Sequence, residues 1–195
     1  MHKIFYSISK QNDQIFPTKF ENENRNKTYF LARYSLMHIL KKKFDINFEL
    51  ANFELHDYSK IRQRPQFTAS VAHTKDIAVA ILGLKSEVSA LGIDIEFESR
   101  AMKQGSDRFF INDQDKLSHS QLDTWCAKEA CFKALSNYGF PITLLKEVVL
   151  SDSTFYFEKE KGQTFPYSIL KKNGLIIAIA ICTNEKFEMS EVLNE

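Results

Sequence analysis

The sequence predicts an α+β fold made of two similar α+β halves, packed as a pseudo-two-fold pair within one chain, and three observations carry that expectation. In each part of the 195-residue chain a helical periodicity is accompanied by strand-like runs. A hairpin pattern recurs: Ser70 through Ile77-Ala78-Val79-Ala80-Ile81 is echoed about 100 residues on by Ser168 through Ile177-Ala178-Ile179-Ala180-Ile181. The alternative is a chance likeness of two Ile/Ala strands. Between the copies runs a polar, charged connection, Glu98 to His119, which sets the expected halves at 1–97 and 98–195.

Composition bounds the rest. Hydrophobic residues make up 44% of the chain and aromatic residues 13%, ample for a core. Lys and Arg number 26 against 25 Asp and Glu, so no global field points to nucleic acid or a membrane surface as partner. No apolar run approaches the roughly 18 residues of a membrane helix. Met1 to Lys10 lacks the basic start and apolar stretch of a signal peptide, so the cytoplasm is the expected location. Cys126, Cys131 and Cys182 have no zinc-type spacing and are expected to be reduced, buried thiols. The six glycines lie too far apart for a dinucleotide fingerprint or a Walker-type loop, so a phosphate ligand must be met by Lys, Arg, His or metal.

In chain order, Ile4, Tyr6 and Ile8 alternate with polar residues and predict a strand over Lys3 to Ser9. From Asn24 to about Lys43, Tyr29, Phe30, Ala32, Leu36, Met37, Ile39 and Leu40 recur at helical spacing, and Lys41, Lys42 and Lys43 suit the negative end of the dipole. Arg25, Lys27 and Thr28 open that helix, either as a grip for phosphate or as a solvated first turn. Asn47 to Asp57 is ambiguous. Arg62-Gln63-Arg64-Pro65 is a basic turn before a strand over Phe67 to Val71. Ala72-His73-Thr74-Lys75-Asp76 then turns into a buried strand, Ile77 to Leu82, with His73 at the tip as a plain loop residue or a phosphate donor.

In the second half, Met102, Phe109 and Phe110 need a partner surface or a core niche. Ser118 or Ser120 caps a helix running to about Asn137 and stopped by Gly139 and Pro141. Leu122, Cys126 and Ala130 share its inner face, widened by Trp125, Phe132 and Leu135. Glu129 and Lys133 stand one turn apart, which alone describes a surface ion pair worth about 0.3–0.5 kcal/mol. Strands are expected at Val148 to Leu150, Thr154 to Phe157, Tyr167 to Leu170 and Leu175 to Cys182, the last two joined at Lys171 to Gly174.

Leu91-Gly92-Ile93-Asp94-Ile95-Glu96 carries the chemistry. On a strand, Asp94 and Glu96 point to one face. Carboxylates about 4 Å apart repel by roughly 4 kcal/mol at an effective dielectric near 20. Such a pair is either solvated at a strand end or neutralised, and a hard divalent cation such as Mg²⁺ is the natural neutraliser.

Leu91-Gly92-Ile93-Asp94-Ile95-Glu96, followed about 30 residues later by Trp125-Cys126-Ala127-Lys128-Glu129-Ala130-Cys131-Phe132-Lys133, resembles the paired signature of the 4'-phosphopantetheinyl transferases. Members carry a Gly-x-Asp-x-Glu strand and a helix with Trp-x-x-Lys-Glu-Ala and a following Lys, here Lys133, four residues after Glu129. Arg64-Pro65 and His73 sit where the larger members have a basic-Pro turn and a Ser-His-Ser segment, although this chain has Ala72-His73-Thr74. The mid-chain position of Asp94 is similar to that of the larger, pseudo-dimeric, surfactin-synthetase-activating type. The resemblance implies coenzyme A as donor, Mg²⁺ (or Mn²⁺) as cofactor and a serine of an acyl or peptidyl carrier protein as acceptor, with adenosine 3',5'-bisphosphate released.

On that resemblance, Asp94, Glu96 and Glu129 are metal ligands, Glu129 is the candidate base and Lys133 steadies the pyrophosphate. Arg64, His73, Lys128, Arg25, Lys27 and Thr28 are candidates for holding the nucleotide, Lys128 with exposure to solvent as its alternative. Met102, Phe109 and Phe110, rimmed by Arg100, Lys103 and Arg108, are expected to dock the acidic carrier. The site is expected between the halves of a working monomer. Two other classes stay open: a different Mg²⁺-dependent pyrophosphate-cleaving enzyme, and a non-catalytic coenzyme A or nucleotide-binding module.

Overall fold

A computed structural model describes residues 2–11, 16–57, 59–116, 118–183 and 185–193. The fold is mixed α+β, with two helices and eleven strands in three sheets among these residues. Two compact units divide it, Met1–Glu87 with Glu185–Glu195, and Val88–Asn184.

The first unit holds β1 (His2–Lys10), α1 (Glu23–Phe44), the short pair β2 (Leu55–His56) and β3 (Lys60–Ile61), β4 (Phe67–Thr74) and β5 (Ile77–Leu84). The second begins with β6 (Ala90–Phe97) and α2 (Gln121–Tyr138), followed by β7 (Val148–Leu150), β8 (Thr154–Phe157), β9 (Phe165–Lys172) and β10 (Leu175–Cys182). The chain then returns to the first unit as β11 (Phe187–Glu191).

In the first unit the sheet order is β11-β1-β5-β4, with β1 antiparallel to β5 and parallel to β11. Helix α1 covers one sheet face, where Leu36, Ile39 and Leu40 meet Ala78, Ala80 and Leu82 in the core. Asn22 caps α1 through its side chain, and Asp45 ends it in the left-handed conformation at φ 54°. The β4–β5 hairpin has Thr74 paired with Ile77, so its turn is only Lys75 and Asp76. His73 therefore stands on the strand, exposed, rather than in the expected turn. Ladder bonding to β5 extends β4 past its apolar run.

In the second unit the order is β6-β10-β9-β8-β7, with β6 at one edge and antiparallel to β10. Asn173-Gly174, both at positive φ, make the two-residue turn between β9 and β10. Helix α2 is capped by Ser120 and closed by Gly139 at φ 110°. It packs on this sheet through Cys126, Ala130, Cys131 and Ala134, all fully buried. Each unit, taken by itself, has a first strand antiparallel to the second strand of a later hairpin, with a helix packed against the sheet.

The units depart from the expected boundary in two places. Strand β6 falls in the second unit because its whole length pairs with β10, from Leu175 opposite Phe97 to Cys182 opposite Ala90. The last strand falls in the first because it adds to β1, from Phe187 opposite His2 to Glu191 opposite Tyr6. Among the described residues no helix is long and apolar enough to cross a membrane.

Candidate functional site

The site is built where α2 lies on β6. Gly92, Asp94 and Glu96 share the strand face turned to the helix. At Gly92 the two backbones nearly touch: a Cβ there would stand 1.9 Å from the Ala130 carbonyl oxygen and 2.7 Å from the Ala134 nitrogen. The motif glycine is thus a packing requirement. It lets the small Ala130 and Ala134 bring the helix down, which sets Glu129 and Lys133 beside the strand carboxylates. Two side chains fasten the contact, Lys133 donating to the Ile93 carbonyl at 3.0 Å and Asn137 to the Leu91 carbonyl at 3.1 Å.

Lys133 also donates to Asp94 Oδ1 at 2.8 Å, joining the strand motif to the helix motif. Glu96 Oε1 accepts from Arg100 Nη1. Asp94 and Glu96 are each only 8% exposed. Glu129 is half-buried, and burial first, then the Asp94 charge, push its carboxyl above the usual range against the pull of Lys133 and Arg100. Three carboxylates with two cations form a cluster that retains one negative charge when all are ionised.

The donor chemistry fits a hard divalent cation, since all three acids offer oxygen and burial, then the Asp94 charge, raises the Glu129 carboxyl. As the side chains stand, no three His, Cys, Asp or Glu groups gather to hold a metal among the described residues. Lys133 engages Asp94, and Arg100 engages Glu96.

Lys128 is elsewhere. Expected to bind the nucleotide or face solvent, it is fully buried and ion-paired at 2.7 Å with Asp115, itself 1% exposed at the side chain. It also donates to the Val148 carbonyl, while Asp115 accepts from Leu150 N at 2.8 Å and Asn112 N at 2.7 Å. Burial lowers the Lys128 pKa, with Asp115 opposing. The pair ties the connection after β6 to α2 and β7, which is a structural task.

The expected carrier anchors also divide. Phe110 is fully buried, edge-on to Trp125 at 5.2 Å, and Met102 packs against the core. Phe109 is 61% exposed, with the Arg108 guanidinium 4.7 Å from its ring. Arg100, expected on the same rim, is committed to Glu96 and stands 5.9 Å from the Trp125 ring.

The remaining candidates belong to the first unit. Arg64 is exposed, 5.8 Å from the Phe48 ring. Around the start of α1, the Arg25 amide donates to the Asn22 cap and its guanidinium lies 4.4 Å from the Phe20 ring. Lys27 pairs with Glu23 at 2.7 Å, and Thr28 Oγ1 donates back to the Asn24 carbonyl at 3.0 Å. Two residues of importance escaped the pattern reading, Asp115 and Arg100 in its bond to Glu96. The only signal for Arg100 was its spacing of four from Glu96, and that spacing crosses a turn.

No protein-family model matches this chain, and no curated protein matches its sequence.

Proposed function

We propose that the chain transfers 4'-phosphopantetheine from coenzyme A to a serine of an acyl or peptidyl carrier protein, as a member of the 4'-phosphopantetheinyl transferase superfamily. The observation that carries this reading is the 2.8 Å contact of Lys133 with Asp94, which joins the two signature motifs in one cluster. Asp94, Glu96 and Glu129 would hold Mg²⁺ or Mn²⁺. When bound, that ion supplies neutralisation of the pyrophosphate charge. Lys133 donates to pyrophosphate oxygens as negative charge grows on the leaving group. Glu129, half-buried one helical turn before Lys133, is the candidate to take the serine proton.

Arg64, His73 and the Arg25, Lys27 and Thr28 turn are the proposed partners of the nucleotide phosphates; Lys128, buried in its pair with Asp115, is not among them. Phe109, with the exposed Arg108 next to it and the exposed Lys103 six residues before it, is the proposed contact for an acidic carrier helix. The same reading has one chain suffice for turnover, in the cytoplasm.

Incubation with coenzyme A, Mg²⁺ and an apo carrier protein, read by intact mass, tests it. The carrier should gain one phosphopantetheine. Cleavage of coenzyme A with no gain on the carrier would favour a hydrolase, and binding with neither would favour a non-catalytic module.

A further inference from the structure

Arg100 is the one charged side chain of the cluster that the proposed reaction leaves without a task. Its amide donates to the Phe97 carbonyl at 2.9 Å, placing it in the turn directly after β6. From there Nη1 reaches Glu96 Oε1, and the guanidinium remains 5.9 Å from the Trp125 ring. Lys133, the other cation, is anchored differently. It is held by both Asp94 and a strand carbonyl and is 28% exposed at the side chain, against 44% for Arg100. Of the two, Arg100 is the one free to leave.

Charge argues the same way. Asp94, Glu96 and Glu129 with Lys133 and Arg100 leave one negative charge. A divalent ion added beside both cations would make the cluster one charge positive. The same ion taken in exchange for Arg100 leaves it neutral. A carboxylate oxygen that accepts from a guanidinium also has fewer lone pairs to give a metal.

We propose that Arg100 competes with a divalent cation for Glu96, as a resident counter-cation that metal binding displaces toward the face of Trp125. The competition keeps the acids of β6 neutralised within the fold and weakens the affinity of the site for metal alone. It rests on the reading of Asp94, Glu96 and Glu129 as a divalent-cation site, and the test separates the two.

Mn²⁺ binding, followed by the electron paramagnetic resonance of free Mn²⁺, is measured on the full chain without coenzyme A or carrier. Arg100→Ala should bind Mn²⁺ about tenfold or more tightly than the parent, the scale of removing one nearby positive charge at protein-like dielectric. Arg100→Lys keeps the charge and should stay within about threefold of the parent. Asp94→Asn should lose the binding. Without Mn²⁺, Arg100→Ala should melt lower than the parent, and with Mn²⁺ the gap should close, which shows that the variant is folded and loaded. Equal or weaker binding by Arg100→Ala, with binding still lost in Asp94→Asn, overturns the role of Arg100 and leaves the metal site standing. Failure of the parent and all three variants to bind Mn²⁺ overturns both.

Discussion

Lys128 and Lys133 lie five residues apart on α2 and meet opposite fates. Lys128 points into the fold, fully buried against Asp115, and Lys133 leans over the edge strand to Asp94 with 28% of its side chain exposed. Around Lys128 every polar partner is satisfied locally, by Asp115 and a β7 carbonyl. Around Lys133 three acids face two cations, and burial, then the Asp94 charge, raises the Glu129 carboxyl. A buried pair with its hydrogen bonds filled holds structure, and an open cluster with one acid left over is poised to take a ligand.

Lys128→Ala leaves Asp115 buried without its cation, and urea unfolding should show a loss of about 3–5 kcal/mol. The paired change Lys128→Met with Asp115→Leu should recover most of it, since neither charge is then stranded. A single variant as stable as the parent would mean that the pair is not held in solution.

Gly92→Ala strikes the contact on which both sides depend. Its Cβ would meet the backbone of α2 at Ala130, which cannot swing aside as a side chain can, so helix and strand must part. The cost should be about 1–3 kcal/mol. Turnover should fall further than stability, because separation pulls Glu129 and Lys133 away from Asp94. Parental activity in Gly92→Ala would show that the close approach is dispensable.

Glu147 and Glu129 are shifted in opposite directions. Glu147 accepts from Lys159 at 2.7 Å and from the Thr143 and Leu144 amides at 2.8 and 2.9 Å, which together hold its carboxyl down at about 2. Its folded pKa lies below its unfolded value of about 4.5, so its contribution is present above 4.5 and lost as pH falls toward 2. Glu147→Gln should lower the melting temperature at pH 7 by the equivalent of about 1–3 kcal/mol, and the gap should narrow below pH 4.5. A gap constant with pH would rule out the charge as its source.

Glu129 runs the other way. Its raised folded pKa means that its contribution is complete below the unfolded value and fades as pH rises through the folded one. In metal-free protein Glu129→Gln should therefore be as stable as the parent at pH 7 or more stable, by roughly 0.2–1 kcal/mol, while losing transfer. A clear loss of stability at pH 7 would place Glu129 on the structural side.

Much of this was legible in the sequence. The 3.6-residue pattern and Gly139 placed the end of α2 to within a residue, its start was left between Ser118 and Ser120 with Ser120 the observed cap, and the Ile/Ala runs marked β5 and β10. The pairing of Asp94 with Glu96 on one strand face, and of Glu129 with Lys133 on one helix face, followed from period alone. What stayed hidden depended on distant partners. Strand β11, five residues of mixed polarity, exists because β1 offers it a parallel edge. The burial of Lys128 depends on Asp115, an acid in a polar connection with no pattern to mark it. Phe109 and Phe110 are alike in sequence, yet Phe110 is fully buried edge-on to Trp125 and Phe109 is exposed.

The most direct test sets the two lysines against each other in one assay. Steady-state transfer from coenzyme A to the carrier is measured for Lys133→Ala beside the stability-restored Lys128→Met, Asp115→Leu protein. Lys133→Ala should be less stable than the parent, having left the buried Asp94 without its cation, but folded at assay temperature, and should lose at least about tenfold in kcat with a smaller change in KM for coenzyme A, because in the proposed transfer its charge acts chiefly as the leaving group develops. The paired variant should keep kcat within about twofold, having lost no group proposed to meet the reacting phosphate. Lys133→Ala with both constants within about twofold of the parent would contradict the account and leave α2 a helix with an ion pair at its edge.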